Sequence, residues 1–227
     1  MITILQIETA TQVCSAAISQ DGKTIALKEE MASNIHAGSL TLFIQSAMNS
    51  AGLKFSDLDA IAVSKGPGSY TGLRIGVSTA KGLCYALDKP LIAIDTLQMM
   101  AAGFHKAEPA LQGLVCAMID ARRMEVFTAV FDAQLDYVSP VEAKIIDEQS
   151  FESLLKTEKV TFIGDGAAKC AETLKHENAH FSTDNFNSAS NMSELAMAAY
   201  TQGRFENLAY FEPFYLKDFV LTTPKKK

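Results

Sequence analysis

The feature that most constrains this chain is a short pattern that occurs twice. Residues 4–19, "ILQIETATQVCSAAIS", are an apolar run closing on an acid, a polar gap, and a second apolar run; residues 114–132, "LVCAMIDARRMEVFTAVFD", repeat it. A gap this short has no room for a crossover helix, so each pair of runs must form an antiparallel hairpin. Laid on one another, the two copies place Asp120 where Glu8 falls. The expectation is two structurally repeated halves, 1–106 and 107–227, joined near Lys106–Gly113 with no proline-rich or low-complexity linker.

Each half continues in the same style. After the "QDGK" turn, "TIALKEEM" adds a third antiparallel strand, so residues 2–31 read as three strands. In "AGSLTLFIQSAMNSAG", the residues Leu40, Phe43, Ile44, Ala47, Met48 and Ala51 fall at i, i+3, i+4, i+7, i+8 and i+11, the apolar stripe of a helix that Gly52 ends. "LDAIAVSKG" is a short buried strand, a second helix follows it, and "KPLIAID" leads into a helix near Thr96–His105. The second half offers "VEAKIID", a helix near Gln149–Lys156, the strand "KVTFIGDG", and helices near Ala167–Lys175 and Met192–Gly203. This order predicts an α/β protein with mixed sheets and helices packed on them.

Composition excludes several functions. With 20 Lys+Arg against 26 Asp+Glu the net charge is −6, so the chain lacks the broad positive field that gripping nucleic acid unaided requires. Cys14, Cys84, Cys116 and Cys170 are scattered without a C-x-x-C pair and read as buried thiols of a reducing compartment. No basic stretch precedes the first apolar run and no run approaches membrane-spanning length, which points to the cytoplasm. His176 and His180 have i, i+4 spacing, but their segment is polar and offers no third ligand, so a surface pair is expected and no metal site. Nothing suggests a Ser-His-Asp or Cys-His constellation. The closing "TTPKKK" reads as a frayed tail.

Residues 65–82, "KGPGSYTGLRIGVSTAKG", raise a sharper question. A Walker A loop fails, because the second glycine counted from Gly66 falls on Thr71 and no Lys-Ser or Lys-Thr follows; a dinucleotide loop fails at the same position. Gly72, Gly76 and Ala80, four apart, make a smooth ridge along a helix begun by Ser69 or Thr71. Two glycines inside a helix cost about 1 kcal/mol each relative to alanine, so the ridge needs a purpose. Either it packs on this chain's own sheet, or it is a seam for a helix pair from another chain. Arg74 projects from the opposite side, free to pair across an interface or to sit in solvent.

"GPGSYTGLRIG" also resembles the signature of the TsaB (YeaZ) family, and "ILQIETATQVCSAAI", "NIHAGSL", "DARRMEVFTAVF" and "EPFYLKD" fall where that family has similar segments. The resemblance covers nearly the whole chain. It implies an actin-like, sugar-kinase-like (ASKHA, ribonuclease H-like) fold of two repeated halves. In that family the first two helices, here about Ala37–Gly52 and Gly72–Leu87, pack on the larger paralogue TsaD, and the same surface can make a homodimer. The residues this assigns to a partner interface are His36, Leu40, Phe43, Ile44, Gly72, Arg74, Gly76 and Ala80.

On the same resemblance TsaD carries the metal and the transfer of a threonylcarbamoyl group to adenosine in tRNA, helped by the ATPase TsaE. The present chain would then be a non-catalytic subunit with no cofactor of its own, meeting tRNA only through the complex. The family usually has Asp at the position of Glu8 and Arg at that of Lys217, where lysine gives up the planar fork. Kinases of this fold hold nucleotide between turns that correspond to Glu8–Thr11 and Asp120–Arg123, which makes Glu8, Thr9, Asp120, Gly164 and Gly166 candidates for a vestigial nucleotide cleft. The rivals are a small ATP-dependent kinase or acyl-transferase of the same fold, and a self-sufficient homodimer.

Overall fold

The computed structural model describes residues 1–32, 35–182, 184 and 186–217; the "TTPKKK" stretch and Asp218 of "EPFYLKD" lie outside the described residues. In the first half β1 (Thr3–Glu8), β2 (Val13–Gln20) and β3 (Lys23–Met31) form the expected antiparallel run. Then follow α1 (His36–Ala51), β4 (Ala60–Gly66), α2 (Tyr70–Leu87), β5 (Leu91–Asp95) and α3 (Thr96–Ala107). The strands lie in the order β3-β2-β1-β4-β5, with β1, β4 and β5 parallel.

The second half repeats this topology. Strands β6 (Leu114–Asp120), β7 (Glu125–Phe131), β8 (Tyr137–Ile145), β9 (Val160–Ile163) and β10 (Ala179–Phe181) stand in the order β10-β9-β6-β7-β8. Position by position this is the order of the first sheet, so β6 answers β1 and the acids Glu8 and Asp120 close equivalent strands. The helices do not match. α4 (Glu152–Leu155) and α5 (Ala167–Cys170) are single turns where α1 and α2 have 16 and 18 residues. The expected helices Gln149–Lys156 and Ala167–Lys175 are thus much shorter than their composition suggests, while α6 (Ser193–Thr201) falls inside the expected span.

Apolar surface from both halves is buried in three layers. α1 and α2 cover one face of the first sheet through Leu5, Ile7, Leu40, Ile44, Met48 and Val77. Between the sheets, Ile4, Ile92, Met100, Phe104, Phe131 and Met192 form the central core around α3 and α6. The outer face of the second sheet closes over Phe151, Leu155 and Phe162. The division at residue 106 is not clean in space, because α3 packs on β6, β7 and β9 of the second sheet while α6 packs on β1, β3 and β5 of the first.

After α6 the chain runs back across the first half as a strap. The Glu206 amide donates to the Leu91 carbonyl, Lys81 Nζ donates to the carbonyls of Ala209 and Phe211, and the Phe214 amide donates to the Lys65 carbonyl. Lys217 then pairs with Glu125, which ties the strap to the second half.

Candidate functional site

The glycine-rich segment begins α2 with Ser69 as its cap, whose Oγ accepts from the Gly72 amide at 3.3 Å. Gly68 faces Ala10, and Gly72 and Gly76 face Thr9, so closely that a Cβ at any of the three would overlap the β1–β2 turn. Thr9 Oγ1 donates to the Gly72 carbonyl at 2.8 Å, and the Ser69 amide donates to the Ala10 carbonyl at 2.6 Å. The ridge is therefore an internal seam: it lets α2 lie on the first hairpin of its own chain. Gly72, Gly76 and Ala80 are buried, as are Leu40, Phe43 and Ile44 beneath α1. These six, assigned to a partner interface from the sequence, face the interior of the single chain. His36 is also buried, and its Nε2 lies 3.1 Å from the Val13 carbonyl, pinning the start of α1 to β2. Only Arg74 of that set is on the surface, where its Nη1 donates to the Tyr70 hydroxyl at 2.7 Å and its guanidinium lies over the Tyr70 ring.

What α1 and α2 present outward is a different set. α1 exposes Thr41, Leu42, Gln45 and Asn49, with Leu42 66% exposed, and apart from His36 it contains no ionisable side chain. α2 exposes Thr71, Arg74, Ser78, Gly82, Tyr85 and Ala86, with Tyr85 84% exposed. Gly38 and Gly82 have open space where a Cβ would stand, so nothing within the chain requires glycine there. The signal was available in the sequence: the complement of the apolar stripe in residues 37–51 carries no charge, which is unusual for a helix face meant for water alone.

The second candidate is the cleft between the halves, with a volume of about 930 Å³. Its walls include Thr11 and Gln12, the start of α2, Asp120 to Arg122, Asp165, and the strap residues Phe214 to Lys217. Of the five residues expected to hold a nucleotide, only Asp120 borders it. Glu8 and Thr9 are fully buried. One carboxylate oxygen of Glu8 accepts from the Ala10 amide, a donor that a phosphate would have needed. The other oxygen has no partner among the described residues, and burial pushes the Glu8 carboxyl up to about 7. Gly164 and Gly166 are spent on packing against Met118, Met100 and Ile119.

The turn after β6 is also occupied. Asp120 pairs with Lys169, its amide donates to Asp165, and the Arg122 amide donates to Asp120 Oδ1 at 2.8 Å. Of the five-residue nucleotide set, Asp120 borders the cleft, whereas Glu8, Thr9, Gly164 and Gly166 lie behind its walls, engaged in internal hydrogen bonds and packing. All four cysteines are buried as free thiols, and among the described residues no group of three His, Cys, Asp or Glu side chains is arranged to hold a metal. No helix among the described residues is long and apolar enough to cross a membrane.

Two five-stranded sheets of the same order, each opened by an acid-ended hairpin and enclosing a shared helical layer, are the architecture of the actin-like (ASKHA) fold. A family model described as "TsaD: tRNA N6-adenosine threonylcarbamoyltransferase" matches residues 29–225. The chain is 30% identical to the tRNA threonylcarbamoyladenosine biosynthesis protein TsaB of Escherichia coli (strain K12), over 96% of this chain and 95% of that one. It is 29% identical to the protein of the same name from Haemophilus influenzae, with the same coverage of each chain. The solved YeaZ from Pseudomonas aeruginosa superposes with a TM-score of 0.79 at 25% identity, over 95% of this chain and all of that one. The chain belongs to the TsaB (YeaZ) family.

Proposed function

We propose that this protein is a non-catalytic, cytoplasmic subunit of the machinery that makes threonylcarbamoyladenosine on tRNA, and that it binds and orders TsaD through the outer faces of α1 and α2. The observation that carries the reading is the uncharged outer surface of α1, where Leu42 is exposed, continued on α2 by the exposed Tyr85, with Gly38 and Gly82 open to close approach by another backbone. Surface of this kind is enriched at the cores of protein interfaces. TsaE and tRNA join the complex afterwards, and in the absence of TsaD the same face pairs two copies of this chain. The internally occupied turns around Glu8 and Asp120 support the absence of catalysis by this chain itself.

Reconstitution tests this. Purified TsaD, TsaE, tRNA and the threonylcarbamoyl donor should modify tRNA only when this chain is added, and Asp120→Ala should be as effective as the wild type. Steady ATP turnover by the chain alone, lost in Asp120→Ala, would instead establish the kinase-type rival.

A further inference from the structure

We propose that the mouth of the cleft between the halves receives an unpaired nucleotide of an RNA strand, its base stacking on Tyr215 and its phosphate meeting Arg122. The inference goes beyond the partner role and rests on different residues.

Tyr70 and Tyr215 stand with ring centroids 4.8 Å apart and 34° between planes, and the Arg74 guanidinium lies 5.2 Å from the Tyr70 centroid. Three planar, polarisable groups thus meet where the strap crosses the start of α2, and both tyrosines line the cleft. Tyr215 is 36% exposed, so a ring there keeps surface for a further planar partner. Aromatic and guanidinium planes of this kind are how proteins hold unstacked bases.

The charge needed for a phosphate comes from the turn after β6, which lines the same cleft. Among the described residues Lys169 is committed to Asp120, and Lys217 to Glu125. Among the described residues the guanidinium groups of Arg122 and Arg123 enter no ion pair or hydrogen bond; both residues are exposed, and Arg122 lines the cleft. Both hold left-handed backbone, at φ 69° and 49°, in a turn where glycine or asparagine would sit with less strain. Two successive arginines in that conformation carry a cost in backbone strain.

An RNA strand suits the site better than a free nucleoside triphosphate. The turns that would wrap a triphosphate are filled by their own hydrogen bonds, and what remains is an open rim with a stacking surface and one uncommitted guanidinium. The net charge of −6 fits one local contact, of a strength to be read at low salt, and not a whole-surface field.

The test is fluorescence anisotropy of a fluorescein-labelled RNA hairpin with an unpaired adenosine-containing loop, titrated with the full chain at low and moderate salt. The expected result is salt-dependent binding that Tyr215→Leu and Arg122→Gly each weaken about tenfold, while Tyr215→Phe retains it. Glycine suits the backbone at position 122, so a thermal melt of Arg122→Gly no lower than that of the wild type separates lost contact from lost fold. No binding at low salt, equal affinity of all variants, equal binding of a fully paired duplex, or displacement by ATP as readily as by unlabelled hairpin would each overturn the proposal.

Discussion

The two halves of the molecule share a sheet and differ in what they hang on it. Both sheets run in the same strand order, and both first strands end in an acid beside a tight turn. Over the first sheet lie helices of 16 and 18 residues, whereas the second has a single turn at each equivalent place. Four-residue turns bury little apolar surface, so the outer face of the second sheet is covered by short turns and loops, through Ile146, Phe151, Leu155 and Leu174. The scaffold is duplicated but keeps long helices on one half only, and the outer face of the first of them, α1, carries no charge.

The acids diverge in the same sense. Glu8 is sealed beneath the turn that supports α2, while Asp120 lies at the cleft with Lys169 as its counter-charge. In the first half the hairpin has become a structural anchor for α2. In the second it still faces a cavity.

Four substitutions can break or sharpen this contrast. The largest effect belongs to Gly72→Ala, which drives a methyl group into the Thr9 carbonyl and should cost about 3 kcal/mol in denaturant unfolding of the isolated chain. An unchanged midpoint would mean that the ridge does not rest on the hairpin. Next is the pH dependence of Glu8. Because burial raises its pKa from 4.5 to about 7, the folded chain holds a proton that the unfolded chain releases, so stability falls as pH rises from about 4.5 to about 7 and is flat above. The full loss is roughly 3 kcal/mol, from 1.36 kcal/mol per pKa unit. Glu8→Gln should remove this slope, leaving the variant the more stable protein at pH 8; parallel profiles for the two proteins would contradict the assignment.

Legibility from the sequence divides along physical lines. The hairpins were readable because a short polar gap between two apolar runs permits one topology, and the buried stripe of α1 was readable residue by residue because its period is 3.6. The destination of the glycine ridge was not. Spacing shows that something lies close to Gly72 and Gly76, but Thr9 is 63 residues from Gly72, and no local pattern links them. The shortness of α4 and α5 was hidden too, since "AAKCAETLK" has helix-forming composition, yet the regular helix ends at Cys170, whose carbonyl accepts from both the Thr173 and the Leu174 amides. The strap was invisible because much of its hold on the first half is through backbone groups, which Lys81, Leu91 and Lys65 engage whatever the side chains are.

The remaining substitutions have smaller effects. Gly82→Ala should stabilise the isolated chain by about 1 kcal/mol, because position 82 is inside α2 with nothing opposite it; the opposite sign to Gly72→Ala is the point of the comparison. Thermal melts of the two variants side by side check this, and a loss of stability in Gly82→Ala would mean that the outer face is not free. Smallest is Lys217→Ala, which removes a half-exposed ion pair with Glu125 and should change the melt by no more than about 1 kcal/mol; a larger loss would make the strap a main fastening between the halves.

The central claim is that α2 turns its glycine ridge inward while the uncharged outer face of α1 meets a partner. Sedimentation velocity of this chain with TsaD from the same organism tests it most directly, comparing the wild type with Leu42→Glu, which places a charge on exposed surface. A one-to-one complex with the wild type, its loss in Leu42→Glu, and unchanged melting of the variant alone are the predicted result. A complex that forms equally well with Leu42→Glu would contradict the account and move the partner-binding surface elsewhere on the molecule.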